Sequence, residues 1–376
     1  MVCSCTLHPP GCTRKYKGSG RNESIVRDTG RAASGKRDKS EEITFVNRIS
    51  LDLSFIPKMT GENANYTLGQ ESTPWMTYIL ECYSVFFPYH LGLTVIPIIL
   101  YYPLIIVICF CYVGNAIYVI YGKIGKFSVD INNKQWDKPR QIVAFISDIG
   151  GKVGHGYEIS GAENLPEGPA VIVYFHGSIP MDCYLFQQRL YRKTGRQCHL
   201  VISNEILKIP GLHTFFYMNG CFNRTIEECV NTLKKGHVLM IAPGGLEEGN
   251  AGGHNYKLIW GKRKGFAQVA IDAKVPIVPM FTRNIQEGYW TYAKMWVMEW
   301  ICKQTRIYLL PQGGMLPVKL RTYIGEPIKY DQNITAEELA EKARIAVEAL
   351  RDKHQKLPGN ILRALGERFE MHPKDE

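Results

Sequence analysis

The stretch that decides the fold reads AVIVYFHGSIPMD and covers residues 170–182. The leading AVIVYF is apolar and rich in β-branched and aromatic residues, which predicts a strand. Pro180 suits the first turn of a helix, so a helix is expected to start directly after it. A strand that leads into a helix is the unit of a layered α/β fold. His176 and Asp182 lie in the connection, at the end of the strand where open α/β sheets bind ligands.

The same alternation of short apolar runs and helical stretches continues on the C-terminal side, so we assign the chain to the α/β class. Predicted strands cover residues 170–175, 199–203, 238–242, 277–282 and 319–324. Predicted helices cover residues 181–191, 226–235, 264–273 and 336–355. The last helix opens on TAEE, where Thr335 and Glu338 have the spacing of a capping box.

Composition divides the chain into five parts. Residues 1–74 are rich in Gly, Ser, Lys and Arg and are expected to form a disordered tail, because they contain too little apolar surface to offset the entropy of ordering. A membrane segment is predicted at 75–122, followed by a juxtamembrane linker and helix at 123–149. The main domain is predicted at 150–358 and a C-terminal tail at 359–376.

The membrane segment has no Asp, Glu, Lys or Arg from Cys82 to Gly122. This uncharged stretch is far longer than the roughly 20 residues that cross a bilayer as one helix. It forms either one long span or a hairpin that turns near Pro97 and Pro103. A single span would put Asn65, in the sequon NYT, in the lumen. By the positive-inside rule the basic flank predicts a cytosolic main domain. That flank contains Lys123, Lys126, Lys134, Lys138 and Arg140.

The net charge of +10, from 45 basic and 35 acidic residues, suits an anionic membrane surface or polyanionic ligands. We expect no nucleic-acid partner, because there is neither a basic run interleaved with aromatic residues nor a zinc-finger spacing. The scattered 11 cysteines indicate a reducing environment. Cys3, Cys5 and Cys12 lie near His8 in the polar tail, where we expect no metal site.

His176 and Asp182 have the residue types of a base whose imidazole is oriented by a carboxylate. Alone, the pair is weak evidence, because an ordinary histidine at a strand end explains it better. Three later motifs follow in the order NGCFNRT, APGGLEEG and VPIVPMF, and RKGF lies between the last two. Their candidate site residues are Gly220, Asn223, Arg224, Pro243, Gly244, Gly245, Glu248, Arg263 and Lys264.

In this order the motifs resemble the four sequence blocks of the glycerolipid acyltransferase superfamily, over roughly residues 150–330. The diacylglycerol acyltransferase branch is resembled by PGG followed by Glu248, together with RKGF. A membrane protein of that branch is resembled by YFHGSIPMD and ITAEELAEKARIAVEALRDKHQKLPGNI. The resemblance implies a layered domain like that of glycerol-phosphate acyltransferases, with a central mixed sheet behind N-terminal membrane helices. It also implies an enzyme of the endoplasmic reticulum that acts on neutral glycerides.

Carried over by residue, the resemblance makes His176 the catalytic base and Asp182 its partner. Backbone N–H groups of the APGG turn are candidates for oxyanion or substrate contacts. Arg224 is a candidate to bind a phosphate of CoA or the head of the acceptor. Arg263 and Lys264 are candidates for the same role, or else for contact with solvent or lipid headgroups. The expected substrates are acyl-CoA, or a lipid donor, and a neutral glycerolipid. No cofactor or metal is implied, and the oligomeric state is not indicated.

Two features depart from the wider superfamily. Five residues separate His176 from Asp182 where the superfamily usually has four. The third block lacks the Glu-Gly-x-Arg of the enzymes with phosphate-bearing acceptors and has Gly244, Gly245, Leu246 and Glu247 instead. Loss of that arginine favours monoacylglycerol or diacylglycerol as the acceptor.

Two other functions compete with acyl transfer. A lipid hydrolase of the α/β-hydrolase type would share the strand and HG turn, but no serine stands in a G-x-S-x-G frame. A non-catalytic lipid-binding membrane adaptor would fit the longer spacer and the missing arginine. GGLEEGNAGG is not a nucleotide P-loop, and no H-E-x-x-H motif occurs.

Overall fold

The structure is a computed structural model that describes residues 74–126, 133–292 and 312–369. From residue 88 onward these residues belong to one compact unit, while residues 74–87 belong to another. In the described ranges, seven strands form the main sheet, in the spatial order β1-β9-β6-β2-β5-β3-β4. They are β1 Glu158–Ser160, β2 Val171–Tyr174, β3 Cys198–Val201, β4 Cys221–Phe222, β5 Val238–Ile241, β6 Ile277–Arg283 and β9 Arg321–Ile324. A separate hairpin pairs β7 Tyr289–Thr291 with β8 Gln312–Gly314.

The main sheet is mixed. Five of its strands run parallel to one another, in the order β6, β2, β5, β3 and β4. Strand β9 pairs antiparallel with β6, and β1 pairs parallel with β9. At its centre Val171 stands between Leu239 of β5 and Ile277 of β6. These three side chains are fully buried, as expected for parallel strands covered by helices on both faces. The predicted α/β class and central mixed sheet are confirmed.

Helices cover both faces of the sheet. They are α1 Pro74–Gly125, α2 Asp137–His155, α3 Met181–Thr194, α4 Asn204–Leu207, α5 His213–Met218, α6 Ile226–Lys234, α7 Gly245–Ala251, α8 Gly265–Ala273, α9 Ile285–Gly288, α10 Ala336–His354 and α11 Ile361–Gly366. Helix α3 connects β2 to β3 and lies on one face of the sheet. Helices α6 and α8 belong to connections that run in the opposite direction along the sheet, so right-handed crossovers place them on the other face. Helix α2 packs on α3, and α10 packs on α8.

All the predicted strands and helices of the main domain are confirmed, with ends that shift by a few residues. The capping box of Thr335 and Glu338 is also formed at the start of α10. The prediction missed the short strands β1 and β4 and the β7–β8 hairpin. These elements have two or three residues each, too few for an alternating pattern to stand out.

The predicted membrane segment forms one continuous helix, α1, which does not turn at Pro97 or Pro103. Its part from Tyr89 to Gly125 is long and apolar enough to cross a membrane by length and composition. Residues 1–73, which make up almost all of the predicted tail, lie outside the described residues.

The C-terminal segment that was predicted as a tail is folded as far as residue 369. It forms α11, which buries Ala364. Glu367 then accepts a hydrogen bond from Nδ2 of Asn284 at 2.8 Å and pairs with Arg283. These contacts at the end of β6 are far away in sequence, so local composition could not reveal them.

Candidate active site

His176 lies two residues beyond the end of β2, at the edge where the parallel strands have their carboxyl ends. Its ring nitrogen Nδ1 lies 2.7 Å from the carbonyl oxygen of Gly177. A carbonyl oxygen only accepts hydrogen bonds, so Nδ1 must carry the proton. In the neutral ring Nε2 is then unprotonated, which is the state that a general base requires.

The charge state of His176 follows from its surroundings. Burial lowers the pKa of the imidazole from its ordinary 6.5 to about 4, because desolvation penalises the imidazolium, although the hydrogen bond to Gly177 acts in the opposite direction. The side chain is therefore neutral near pH 7.

Glu248 is a fully buried carboxylate that fixes the backbone of His176. Its Oε1 accepts the peptide N–H of His176 at 2.8 Å, and its Oε2 accepts the N–H of Ile259 at 2.8 Å. Burial raises the pKa of Glu248 to about 7, while these two hydrogen bonds lower it. Because both oxygens are occupied inside the protein, Glu248 is a positioning residue, and the structure does not give it the substrate contact that the sequence suggested.

Two glycines of the APGGLEEG motif let this carboxylate and the histidine loop approach each other. A Cβ atom on Gly249 would lie 2.6 Å from the carbonyl oxygen of Gly177 and 2.9 Å from Nδ1 of His176. A Cβ atom on Gly244 would lie 2.4 Å from Cδ of Glu248. Neither site has space for a side chain, so glycine is required by close packing.

The APGG turn, Ala242 to Gly245, follows β5 on the same edge as His176. Pro243 has no N–H, and the N–H of Gly245 donates to the carbonyl oxygen of Ala242 at 3.2 Å. Gly245 adopts a positive φ of 54°, which suits glycine. The turn is thus close to the histidine loop through Glu248, but two of its residues have no free N–H for an oxyanion. Its predicted role stays a prediction.

Asp182 is buried in the first turn of α3. Burial raises the pKa of its carboxyl from the usual 3.8 to about 6, while hydrogen bonds from the Thr282 hydroxyl and from backbone N–H groups lower it. Within the described residues, Oδ1 of Asp182 has no hydrogen-bond partner. The structure does not join it to His176, because the Nδ1 proton goes to Gly177. The carbonyl of Gly177 therefore holds the tautomer that we expected Asp182 to hold.

Three buried polar side chains that the sequence reading missed support the histidine turn. Oγ of Ser178 lies 2.9 Å from the carbonyl oxygen of Gly249 and 2.9 Å from Oε1 of Gln286. Nε2 of Gln312 donates to the carbonyl oxygen of Ser178 at 3.1 Å. Ser178 could have been suspected from its place beside His176. The two glutamines come more than a hundred residues later, where no sequence pattern marks them.

A cavity of about 280 Å³ opens at the end of β4 and is lined by residues of the NGCFNRT motif, including Asn223 and Arg224. The guanidinium carbon of Arg224 lies 3.8 Å from the ring centroid of Phe222, and Arg224 also donates to the hydroxyl of Thr232. Gly220, with φ of 72°, makes the turn into β4. The arginine is partly buried and lies beside the opening.

The cavity and His176 lie on the same edge of the sheet but not at the same point. Three strand spacings, from β2 through β5 and β3 to β4, amount to about 14 Å at about 4.8 Å each. The structure therefore separates the predicted residues Gly220, Asn223 and Arg224 from those around His176.

Arg263 and Lys264 have partners inside the protein. Nη1 of Arg263 donates to the carbonyl oxygens of Pro243 and Gly244 at 3.0 and 2.9 Å, and Nη2 donates to Glu247 at 2.7 Å. Lys264 pairs with Glu337 at the start of α10. Arg263 therefore fastens the APGG turn, and the substrate contacts predicted for both residues remain predictions.

No group of three or more His, Cys, Asp or Glu side chains that could hold a metal occurs in residues 74–126, 133–292 and 312–369. The N-terminal Cys3, Cys5 and Cys12, for which no metal was expected, lie outside these ranges. The geometry just described is that of a neutral histidine with an unprotonated Nε2, in a loop after a central strand.

Residues 156–283, which include this loop, match the family described as Acyltransferase. The chain belongs to this acyltransferase family and is an enzyme of that class. Among its relatives are proteins named DGAT1/2-independent enzyme synthesizing storage lipids. The one from Mus musculus is 40% identical over 327 residues, 84% of this chain and 99% of the relative. The one from Homo sapiens is 40% identical over 323 residues, 83% of this chain and 100% of the relative.

A further relative of the same name, from Bos taurus, is 41% identical over 329 residues, 84% of this chain and 98% of the relative. Among solved structures, the 1-acyl-sn-glycerophosphate (LPA) acyltransferase PlsC from Thermotoga maritima aligns with a TM-score of 0.41 and 19% identity, over 65% of this chain and 94% of that chain. The family match and the storage-lipid relatives confirm the resemblance to acyltransferases that the motifs indicate.

Proposed function

We propose that the protein is a membrane-bound O-acyltransferase that moves a fatty acyl group from acyl-CoA, or from a lipid donor, to a hydroxyl of monoacylglycerol or diacylglycerol, and so contributes to triacylglycerol synthesis. The observation that carries the proposal is the fixed tautomer of His176. Its protonated Nδ1 donates a hydrogen bond to the carbonyl oxygen of Gly177, and its low pKa keeps the ring neutral, so Nε2 is free to accept a proton. The storage-lipid names of the relatives support this class of product.

In the proposed reaction, Nε2 of His176 takes the proton of the acceptor hydroxyl while the hydroxyl oxygen attacks the carbonyl carbon of the acyl thioester. The C–S bond then breaks, and the imidazolium returns its proton to the departing thiolate of CoA. Asp182, ionised and buried, would stabilise the transient imidazolium by its charge rather than by a hydrogen bond to Nδ1.

The cavity beside Arg224 is proposed to bind a phosphate of CoA. Its distance of about 14 Å from the strand of His176 suits a donor whose reacting thioester is remote from its phosphates. The partly exposed guanidinium of Arg224 supplies the charge that a phosphate requires.

A neutral acceptor is supported by the charges around the APGG turn. Arg263 is engaged by the carbonyl oxygens of Pro243 and Gly244 and by Glu247. The buried Glu248 adds a second carboxyl near the histidine loop. No guanidinium in this group is left for a phosphate on the acceptor, which favours monoacylglycerol or diacylglycerol.

The proposed location is the membrane of the endoplasmic reticulum, with the catalytic domain on the cytosolic side. It rests on the apolar length of α1 and on the basic residues that follow it, among them Lys123 and Lys126.

The test measures transfer of labelled acyl groups in membranes that contain the full chain or the His176→Ala variant. Acyl-CoA and labelled phospholipid are supplied separately as donors, and monoacylglycerol, diacylglycerol and lysophosphatidate as acceptors. We expect transfer to the neutral acceptors and its loss by at least about 100-fold in the variant, since general-base catalysis supplies a factor of this size. Equal transfer in both proteins would refute the mechanism, and release of free fatty acid in place of transfer would support a hydrolase.

A further inference from the structure

The short helix α9 touches the turn that carries His176. Its first residue, Ile285, is fully buried, and a Cβ atom on Gly177 would lie 2.6 Å from Cγ1 of this isoleucine. The next residue, Gln286, is also buried, and its Oε1 lies 2.9 Å from Oγ of Ser178. Helix α9 therefore packs on the two residues that follow His176, and the first of them supplies the carbonyl oxygen that holds Nδ1.

The third residue of α9, Glu287, is a fully buried carboxylate. Its Oε2 accepts a hydrogen bond from the hydroxyl of Tyr256, and the oxygen of the same hydroxyl accepts the N–H of Gln286 at 3.1 Å. The ring of Tyr256 also packs on Phe175, the residue before the histidine, with 5.3 Å between the ring centroids. Tyr256 thus connects the buried carboxylate to the residues on either side of the histidine.

The entrance of α9 is held by residues 355–367, which we name the C-terminal clamp. Asn284 precedes α9 with a φ of 64°, a left-handed conformation that is uncommon outside glycine and requires support from its surroundings. Oε1 of Gln355 accepts the N–H of Asn284 at 2.9 Å, and Oε2 of Glu367 accepts a hydrogen bond from its Nδ2 at 2.8 Å. Both acceptor side chains are buried, so the clamp fixes the backbone and the side chain of Asn284.

The C-terminal clamp also reaches Glu287 directly. The N–H of Gly359 donates to the carbonyl oxygen of His254 at 2.7 Å, and Nδ1 of His254 lies 3.3 Å from Oε1 of Glu287. A Cβ atom on Gly359 would lie 1.7 Å from the same Oε1, so only glycine lets the chain pass this carboxylate. These contacts form one path from the C-terminal clamp through α9 to the turn of His176.

We propose that Glu287 is a positioning residue of the acyl-transfer reaction, and that the C-terminal clamp acts through α9 to hold His176 in its reactive orientation. A buried carboxylate loses its hydration, which an apolar side chain of similar volume does not, so stability alone does not account for Glu287. Its hydrogen bonds instead fix the helix that packs against Gly177, whose carbonyl oxygen sets the tautomer of the imidazole. The inference rests on the proposed role of His176 as the base.

The first test measures hydrogen exchange in the full chain and does not depend on acyl transfer. Gln355→Met removes an acceptor at the entrance of α9, and Tyr256→Phe removes only the hydroxyl that joins Glu287 to the helix. We expect the backbone amides of residues 176–178 to exchange about tenfold faster in both variants, since one lost buried hydrogen bond changes a local opening equilibrium by that order. Gln268→Met, which removes a partly exposed amide of α8, is the matched control and should leave this exchange unchanged.

The second test measures kcat and KM for transfer of labelled acyl groups to diacylglycerol in membranes that contain the full chain. In Glu287→Leu we expect kcat to fall about 100-fold with KM nearly unchanged, since a shift of about 1 Å in a catalytic group has that effect. Glu287→Gln keeps an oxygen that accepts from Tyr256, so this variant should retain kcat within about fivefold. Tyr256→Phe and Gln355→Met leave the carboxylate in place and should lower kcat by an intermediate factor of about ten.

A control variant separates positioning from loss of stability. Asp148 is another buried carboxylate, which pairs with Arg189 of α3 at 2.6 Å and has no contact with α9 among those described above. Asp148→Asn should lower the temperature of unfolding but leave kcat per folded enzyme unchanged. An equal loss of kcat in this variant would mean that the effect of Glu287→Leu is one of stability, which contradicts the positioning role.

The remaining outcomes identify which proposal fails. If His176→Ala is inactive while Tyr256→Phe and Gln355→Met keep the kcat of the wild type, the base stands and the positioning role is wrong, even where exchange at the turn is faster. A rise in KM at unchanged kcat would mean that α9 contacts the substrate, which also overturns the inference. Transfer by His176→Ala at the rate of the wild type would instead refute the proposed base itself.

Discussion

The histidine loop after β2 and the arginine cavity after β4 stand on the same edge of one sheet, yet they are built in opposite ways. His176 is fixed through its backbone by Glu248 and through its ring by Gly177. Arg224 is partly buried beside an open cavity, with Phe222 and Thr232 as its supports. Proton transfer requires a base held in one position, whereas recognition of a charged group requires access. The difference teaches which residues should affect turnover and which should affect substrate affinity.

The strongest way to break the histidine loop is a single methyl group at Gly249. In Gly249→Ala the added Cβ would lie 2.6 Å from the carbonyl oxygen of Gly177, so the loop or α7 must move. We expect kcat/KM to fall about 100-fold, since a shift of about 1 Å in a catalytic group has that effect. Steady-state acyl transfer measures it. Gly154→Ala, in open space on α2, is the control, and equal activity of both variants would contradict the assigned geometry.

The next effect concerns the support of the loop. Glu248→Gln replaces one accepting oxygen by an NH2 group, which faces a backbone N–H and leaves that donor unpaired. We expect a loss of about 1–3 kcal/mol in the free energy of unfolding, with lower kcat and little change in KM. Thermal unfolding of the solubilised chain and kinetics provide the two readouts.

Glu247→Gln is the matched control for that substitution, because Glu247 is the exposed neighbour that pairs with Arg263. An exposed ion pair contributes at most about 1 kcal/mol. If Glu247→Gln destabilised the chain as much as Glu248→Gln, the positioning role of Glu248 would be wrong.

The arginine cavity should respond differently. In Arg224→Ala we expect KM for acyl-CoA to rise about fivefold with kcat nearly unchanged, because loss of one partly screened phosphate contact is worth about 1 kcal/mol. Arg344→Ala, which removes an exposed arginine of α10, is the control and should leave KM as it is. A fall in kcat without a change in KM would place Arg224 in the chemistry and not in binding.

The strands and the positions of His176 and Arg224 could be predicted from the sequence, but the contacts of His176 could not. Strong apolar runs such as VIVYF and VLMI determine the central strands, and the order of the motifs places His176 after β2 and Arg224 after β4. Which residues touch His176 could not be predicted, because Glu248, itself held by the N–H of Ile259, reaches the backbone of His176 through tertiary packing. The adjacent carboxylates Glu247 and Glu248 look alike in sequence, but helix α7 points one to solvent and buries the other.

Asp182 illustrates the same limit. Its place six residues after His176 suggested a direct hydrogen bond, and the resemblance to other acyltransferases supported it. Nδ1 instead donates to the carbonyl oxygen of Gly177, the next residue in the chain. Local backbone geometry, which the sequence pattern does not specify, decides which acceptor the imidazole meets.

The smallest effect that we expect is a change in the pH dependence of activity, which distinguishes the titration of Asp182 from that of His176. If the charge of Asp182 stabilises the imidazolium, activity requires ionised Asp182 and neutral His176. The pKa of Asp182 is raised to about 6 and that of His176 is lowered to about 4, so as pH falls Asp182 is protonated first. We expect kcat/KM at pH 6 to be about half of its value on the plateau above pH 7, since half of the carboxyls are then protonated.

Asp182→Asn provides the control for this profile and removes the titration of the carboxyl without a change of size. The variant should have a lower plateau and no loss near pH 6, and its activity should fall only as the pH approaches about 4, where His176 gains its proton. Titration of the substrate affects both proteins equally and cancels in their ratio. A loss near pH 6 that persists in Asp182→Asn would show that the charge of Asp182 plays no part in the step, and Gly177 alone would then account for the orientation of the base.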